Sequence, residues 1–274
     1  MKVETRYAID PVHARSFDTE ALRREFLIGN AFVEGEINLT YTHYDRMIVG
    51  GAVPGVFPLE LATVKETGTP GFLDRREAVI VNIGAAGTVK AKGVAYEMGP
   101  RDMLYVGRGD GPLVFSGKGA RFYILSAPAH RDIPTRLVTI DQAKRVDLGA
   151  PETSNQRSIF QFVHPDVMES CQIVVGMTTL HKGSIWNTMP AHVHDRRMEA
   201  YLYFDLPEDA RVFHMMGEPG ETRHLVVKNE DAVLSPPWSI HSGAGTAAYT
   251  FIWAMAGDNV DYRDVEMVAM DALK

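Results

Sequence analysis

An all-β fold with two similar halves is the class this sequence predicts. Three observations predict it. Short runs rich in Val, Ile, Tyr and Phe recur at hairpin spacing, broken by Gly and Pro. Helical periodicity is scarce after residue 27. The stretch Asp74-Arg75-Arg76-Glu77-Ala78-Val79-Ile80-Val81 also resembles Asp195-Arg196-Arg197-Met198-Glu199-Ala200-Tyr201-Leu202 once one residue is inserted, as expected of a duplicated β-domain. The 274 residues suit two modest domains, at about 100–200 residues each.

Taken in chain order, the first element is a helix. Asp18 and Thr19 offer capping oxygens, Glu20 suits the first turn, and Leu22, Phe26 and Leu27 share one side of a 3.6-residue period. A first strand series then reads 78–83, 94–98, 103–106, 113–116 and 121–126. A polar connector from Pro134 to Pro151 shows little apolar periodicity, so the domain boundary is placed near residue 150: 1–150 and 151–274. The second series reads 172–179, 200–204, 211–215, 224–227, 232–234 and 249–255, with Gly217-Glu218-Pro219-Gly220 as one of its turns. Regular short strands of this kind build sandwiches or barrels, not βαβ units.

Composition narrows the function. With 28 Lys+Arg against 35 Asp+Glu the net charge is −7, which disfavours a partner that is gripped through a dense basic face, nucleic acid above all. The N-terminus is charged where a secretory signal needs an apolar core. The longest apolar run, 247–256, falls short of the roughly 20 residues that a membrane span requires, so a cytoplasmic location is expected. A single cysteine, Cys171, excludes an internal disulfide and a thiolate cluster, and reads as a small buried hydrophobe.

The chemistry is concentrated in Asn187-Thr188-Met189-Pro190-Ala191-His192-Val193-His194-Asp195-Arg196-Arg197-Met198-Glu199. Residues two apart on an extended strand share a face, so His192 and His194 present both imidazoles to one point. Glu199 has the opposite parity. A turn through Asp195-Arg196-Arg197 is therefore needed to bring it back on a neighbouring strand. His241, after the break Ser235-Pro236-Pro237-Trp238, completes a set of three imidazoles and one carboxylate. Such a set without thiolate suits Zn²⁺, Fe²⁺, Mn²⁺ or Ni²⁺ rather than the oxygen-seeking Ca²⁺ or Mg²⁺. Tyr201 and Tyr203 share the parity of Glu199 and are candidates, with it, for proton transfer. Arg197 and Arg223 are candidates for holding a substrate carboxylate, and Arg196 is weighed beside them. His13, His43, His130, His164, His181, His214 and His224 have no partner at ligand spacing and read as hydrogen-bonded or surface residues. Met215 and Met216 read as core filler.

With the set His192, His194, Glu199 and His241 on a chain of short strands, the sequence resembles the cupins. Longer stretches resemble the 4-deoxy-L-threo-5-hexosulose-uronate ketol-isomerases, also called 5-dehydro-4-deoxy-D-glucuronate isomerases. These are His43-Tyr44-Asp45-Arg46-Met47-Ile48-Val49-Gly50-Gly51, Asn82-Ile83-Gly84-Ala85-Ala86-Gly87, Thr153-Ser154-Asn155-Gln156-Arg157, Trp186-Asn187-Thr188-Met189-Pro190, Phe213-His214-Met215-Met216-Gly217 and Trp238-Ser239-Ile240-His241-Ser242-Gly243. The resemblance spans nearly the whole chain. It implies a duplicated cupin-like β-barrel and one Zn²⁺ at those four residues. It also implies an aldose–ketose isomerisation in pectin and uronate breakdown, and a homo-oligomer, as a hexamer. The N-terminal copy has Gly71-Phe72-Leu73-Asp74 where the His-x-His would fall, so that half is expected to be metal-free. The alternatives weighed are 5-deoxyglucuronate isomerase of inositol breakdown and a non-catalytic sugar-binding cupin.

Overall fold

The strand-rich runs pair, in a computed structural model that describes residues 1–274, into two compact units that repeat one topology. The first unit comprises Met1–Tyr7, Asn30–Ala143 and Phe162–Val175, and the second Ala8–Gly29, Lys144–Gln161 and Gly176–Lys274. In the first, a seven-stranded sheet runs Lys2–Arg6, Ile37–Thr42, Ile48–Ala52, Phe122–Pro128, Arg76–Asn82, Met103–Val106 and Arg136–Val138. A four-stranded sheet of Leu59–Leu61, Leu113–Ser116, Gly87–Ala91 and Val94–Met98 accompanies it. In the second, the large sheet runs Lys144–Leu148, Arg157–Val163, Val174–Leu180, Thr250–Gly257, Arg197–Phe204, Ala232–Ser235 and Leu27–Ile28. Its small sheet is Trp186–Asn187, Ser242–Gly245, Val212–Glu218 and Glu221–Val227. Each large sheet thus has the same pattern, and its fifth strand, Arg76–Asn82 or Arg197–Phe204, carries the glutamate of the sequence repeat.

The two units do not follow a single cut in the sequence, and the reason is edge pairing. The helix Thr19–Phe26 forms as its signals require, with the Asp18 carboxylate accepting from the Ala21 N–H at 2.8 Å and Leu22 and Phe26 buried. The Phe26 ring meets Trp238 edge-on at 6.2 Å. Leu27–Ile28 then continues without a break as the edge strand beside Ala232–Ser235, so this early segment belongs with the second unit.

The stretch 134–151, expected as a polar connector, is not structureless. Arg136–Val138 pairs with 103–105, and Lys144–Leu148 pairs with 157–161. Each is an edge strand, one side of which needs no apolar residues, and its apolar pattern is correspondingly faint. The strands Ile37–Thr42 and Ile48–Ala52 were also hidden from pattern reading, the latter by its two glycines. A Cβ on Gly50 would lie 2.1 Å from the Asn38 carbonyl oxygen, so only glycine lets these two strands close up.

The core of the first unit is the apolar interior between its sheets. Phe115 and Phe122 sit 5.5 Å apart between ring centroids, with Ile80, Val89, Leu104 and Ile124 fully buried around them. Glu77, 0% exposed, lies on the same central strand. It accepts from the backbone N–H groups of Cys171 (2.7 Å), Gln172 (2.7 Å) and Ile173 (2.9 Å) and from the Tyr105 hydroxyl (2.7 Å). Four donors satisfy both oxygens and pin the segment 171–173. Burying an acceptor set this complete is tolerable only while every donor is present. Glu77→Gln turns one acceptor into a donor facing a donor and is expected to destabilise the fold by about 1–3 kcal/mol. Chemical denaturation measures the loss, and metal content by elemental analysis should match wild type.

Candidate metal centre and cavity

The strand Arg197–Phe204 runs between Thr250–Gly257 and Ala232–Ser235 and is buried throughout. Alternation puts Glu199, Tyr201 and Tyr203 on one face. Opposite them in register stand Met255, Trp253 and Phe251. The Trp253 indole lies across Gly176, where a Cβ would come within 2.1 Å of the ring, and its N–H donates to Thr178 at 3.1 Å. Glu199 and Tyr201, with Met255, Trp253 and Phe251, form the floor of a cavity of about 380 Å³, within the range of about 300–1,000 Å³ typical of small-molecule sites.

The four expected ligands come together on that floor. All their donor atoms lie within 4.8 Å of one another. His192 Nε2 is 3.2 Å from His194 Nε2 and 2.9 Å from His241 Nε2, and Glu199 Oε2 is 3.1 Å from His194 Nε2 and 3.0 Å from His241 Nε2. His192 and His194 do not sit on a hairpin arm with Glu199, as the parity argument supposed. His192–Val193 instead pairs antiparallel with Glu266–Met267, and the turn at Asp195-Arg196 then carries the chain from His194 into the central strand.

The donor set fits a transition-metal ion. His194 Nδ1 is 3.1 Å from the Asp264 carbonyl, which can only accept, so Nδ1 carries the hydrogen and Nε2 presents a lone pair. That lone pair faces a carboxylate oxygen and a second imidazole nitrogen at hydrogen-bond distance. A shared cation relieves the repulsion. Donors about 2.0–2.1 Å from one ion and about 90–109° apart are separated by about 2.8–3.4 Å, a range that holds the four spacings here. The protonation states agree with this. Burial first, then His241 nearby, pushes the His192 imidazole down to about 3, so it is neutral and ready to ligate. Burial alone would raise the Glu199 carboxyl, but His241 and His194 outweigh it and hold the group well below its ordinary range.

The remaining candidates separate. Tyr201 lines the cavity, its hydroxyl 3.4 Å from Thr188 Oγ1. Burial, then Glu199, raises that hydroxyl well above its ordinary pKa, so it is a neutral donor. Tyr203 lies deeper, its hydroxyl 2.7 Å from His214 Nδ1; it does not reach the cavity. Arg197 is buried behind His194, with Nη2 donating to the Asp264 carbonyl at 2.9 Å, and does not line the cavity. Arg196 is exposed and paired with Asp264 at 2.8 Å. Arg223 is spent elsewhere, its guanidinium donating to the carbonyls of Phe17 (2.7 Å) and Arg15 (3.4 Å). Sequence reasoning missed Arg157, Tyr262 and Arg263, all of which line the cavity. Arg157 stood in a stretch already singled out for its resemblance. The segment 258–267, which carries no motif, supplies Tyr262, Arg263, Val265 and Met267 to the cavity wall.

Two β-stranded units, one of which brings a half-buried His192 together with the buried His194, Glu199 and His241, define a cupin-like fold with a candidate metal centre. The chain matches the KduI/IolB family over residues 27–272 and belongs to that family. It is 67% identical over 272 residues to a 4-deoxy-L-threo-5-hexosulose-uronate ketol-isomerase of Cereibacter sphaeroides, covering 99% of each chain. It is also 59% identical over 274 residues to the protein of that name from Agrobacterium fabrum, covering 100% of each. Among solved structures it is similar to an IolB-like protein from Salmonella typhimurium LT2 (TM-score 0.74, 19% identity, 89% of this chain and 96% of that one). The fold also matches Bacillus subtilis oxalate decarboxylase, described for its Mn(II) centres (TM-score 0.52, 11% identity, 78% and 69%). No helix is long and apolar enough to cross a membrane.

Two outcomes follow from this geometry. His192→Ala and Glu199→Gln should each lose bound transition metal, read by elemental analysis of the purified protein. The second outcome is a pH dependence. His214 is wholly buried, and burial first, then His241, pushes its imidazole from 6.5 down to about 3. The unfolded chain therefore takes up a proton that the folded chain refuses, and stability falls as pH drops below about 6.5, by up to about 1.4 kcal/mol per pH unit. Urea unfolding between pH 7 and pH 4 should show that slope, and His214→Gln should reduce it.

Proposed function

We propose that this chain is a metal-dependent ketol-isomerase that converts 4-deoxy-L-threo-5-hexosulose uronate, an open-chain 5-keto acid, into 3-deoxy-D-glycero-2,5-hexodiulosonate. The observation that carries the reading is the convergence of His192, His194, Glu199 and His241 on the floor of a ligand-sized cavity. The names of relatives 52–67% identical support the substrate. That similarity favours this sugar acid over the inositol-derived one, and assaying both separates them. Zn²⁺ is the ion we assign, in the second unit, with the first unit metal-free. A homo-oligomer, a hexamer by family resemblance, and a cytoplasmic location complete the reading.

When bound, the ion supplies Lewis-acid polarisation of a carbonyl. The rest falls to side chains. The reaction moves a hydrogen from C2 to C1 and a hydroxyl proton from O2 to O1. Tyr201, neutral and facing the cavity, donates a hydrogen bond to the oxygen that gains charge as the C2 proton leaves. Trp253, Phe251 and Met255 form an apolar wall that limits water at the reacting carbons. Glu199, its ligand oxygen Oε2 aside, keeps a second oxygen that can carry a proton. Positioned proton transfer of this kind contributes about 10²–10⁴-fold.

The test is the reaction in D₂O. Solvent deuterium is expected at C1 of the product by NMR or mass spectrometry, after correction for nonenzymatic exchange. If label is absent, substrate deuterated at C2 decides the route: complete transfer of that deuterium to C1 means a hydride shift and overturns the proton route. Tyr201→Phe should lower kcat by about 10-fold or more and leave metal content intact.

A further inference from the structure

The substrate just proposed carries a carboxylate, and nothing in the four-donor centre is needed to hold it. Apart from the histidines, the only cationic side chains that line the cavity are Arg157 and Arg263. Its only acidic residue is the ligand Glu199. Of the three other arginines near the site or weighed for it, Arg196 pairs with carboxylates and Arg223 with main-chain carbonyls, while Arg197, buried behind His194 with Nη2 on the Asp264 carbonyl, does not line the cavity.

Arg157 is held in place with donors to spare. It opens the strand Arg157–Val163 and shares a face with Ile159, which also lines the cavity. The loop before it is anchored, since the Ser154 carbonyl accepts from the N–H groups of Ile185 (2.8 Å) and Trp186 (3.1 Å). One guanidinium nitrogen, Nη1, donates to the Asn155 carbonyl at 2.9 Å. Nε and Nη2 have no partner in the protein. Arg263 sits on the segment that folds over the site. Its backbone N–H donates to the Asp261 carboxylate at 2.9 Å, which fixes the turn, while its guanidinium has no partner at all. Arg157 is half-buried, and Arg263 is exposed on the cavity-mouth side of its turn. Two guanidinium groups with unused donors lining one cavity, whose lining holds no carboxylate besides the ligand Glu199, make a site for an anion.

We infer that Arg157 and Arg263 together grip the carboxylate end of the substrate, which leaves the aldehyde end for the four-donor centre. This inference rests on the proposed isomerase reading. Both are positioning residues. They fix which end of a six-carbon chain meets the reactive groups, and the planar fork of at least one gives a bidentate contact that a lysine reproduces only in part.

The experiment uses the full-length, metal-loaded protein and four variants: Arg157→Gln, Arg263→Gln, Arg157→Lys and Arg263→Lys. Metal content and circular dichroism are recorded on each preparation. Steady-state kinetics with the 5-keto uronate are paired with calorimetric titration of the substrate–product mixture. Each Gln variant should raise KM and weaken binding by about 10–100-fold, the range for a lost charge-assisted contact, with kcat changed by no more than about threefold. The Lys variants should recover part of the affinity with unchanged metal content. Gln variants with wild-type KM and affinity would overturn the inference, and would place the carboxylate at the four-donor centre itself. A wild-type protein that binds the uronate but does not turn it over would sink the isomerase reading, while weaker binding by the Gln variants would still uphold the clamp.

Discussion

A carboxylate buried on the central strand of a sheet must find donors or a cation, and this one requirement organises both halves of the chain. Glu77 and Glu199 stand at matching places in two sheets of matching order. Each is buried to a degree at which an unpartnered charge would cost several kcal/mol. The first half meets the requirement with three backbone N–H groups and a tyrosine hydroxyl. The second meets it with two imidazoles whose lone pairs themselves call for a cation. One position in a duplicated fold has thus become a structural clamp in one copy and a candidate metal ligand in the other.

The second solution depends on parts far apart in sequence. Glu199 comes from the central strand, His192 and His194 from the loop before it, and His241 from the break after Ala232–Ser235. The C-terminal segment then fixes the arrangement, because the Asp264 carbonyl accepts from His194 Nδ1 and from Arg197. The hydrogen bond to His194 selects the tautomer that turns Nε2 inward. Ser235 Oγ stands 3.3 Å from Nδ1 of His241 and braces that ring from behind. Deeper in the same unit, the Tyr203 hydroxyl stands 2.7 Å from His214 Nδ1, which keeps a fourth histidine close to the centre without making it a ligand.

How much of this could be read from the sequence follows from range. The His-x-His pair and the following Glu were legible because strand alternation is a local rule, and the helix Thr19–Phe26 because its cap and apolar face lie within eight residues. His241 was legible through the strand break that precedes it. The pairing of His192–Val193 with Glu266–Met267 was not, since two-residue strands have no period to detect. The arginines show the same limit from the other side. Arg197 and Arg223 looked suitable by residue type and neighbourhood, yet one lies behind His194 and the other holds the helical segment near Phe17. Arg157 and Arg263 reach the cavity only through contacts that the sequence does not encode locally, a loop anchored on Ile185 and a tail folded over the site. The edge strands in 134–151 were lost for a related reason, because an edge strand with one solvated side needs only a faint pattern.

Charge brings these threads together. The chain carries a net charge of −7, which at long range disfavours an anionic substrate, but at physiological ionic strength fields beyond about 8 Å are largely screened. What an anion meets at short range is the cavity. There the single carboxylate is Glu199, opposed by a divalent ion when one is bound, and two guanidinium groups stand without protein counter-ions. The local balance is then positive although the whole molecule is negative. Low-dielectric walls of Trp253, Phe251 and Met255 strengthen that local field. The proposed anionic substrate thus meets, inside the cavity, the few groups that would also orient it, and the net negative charge of the whole molecule does not oppose binding there.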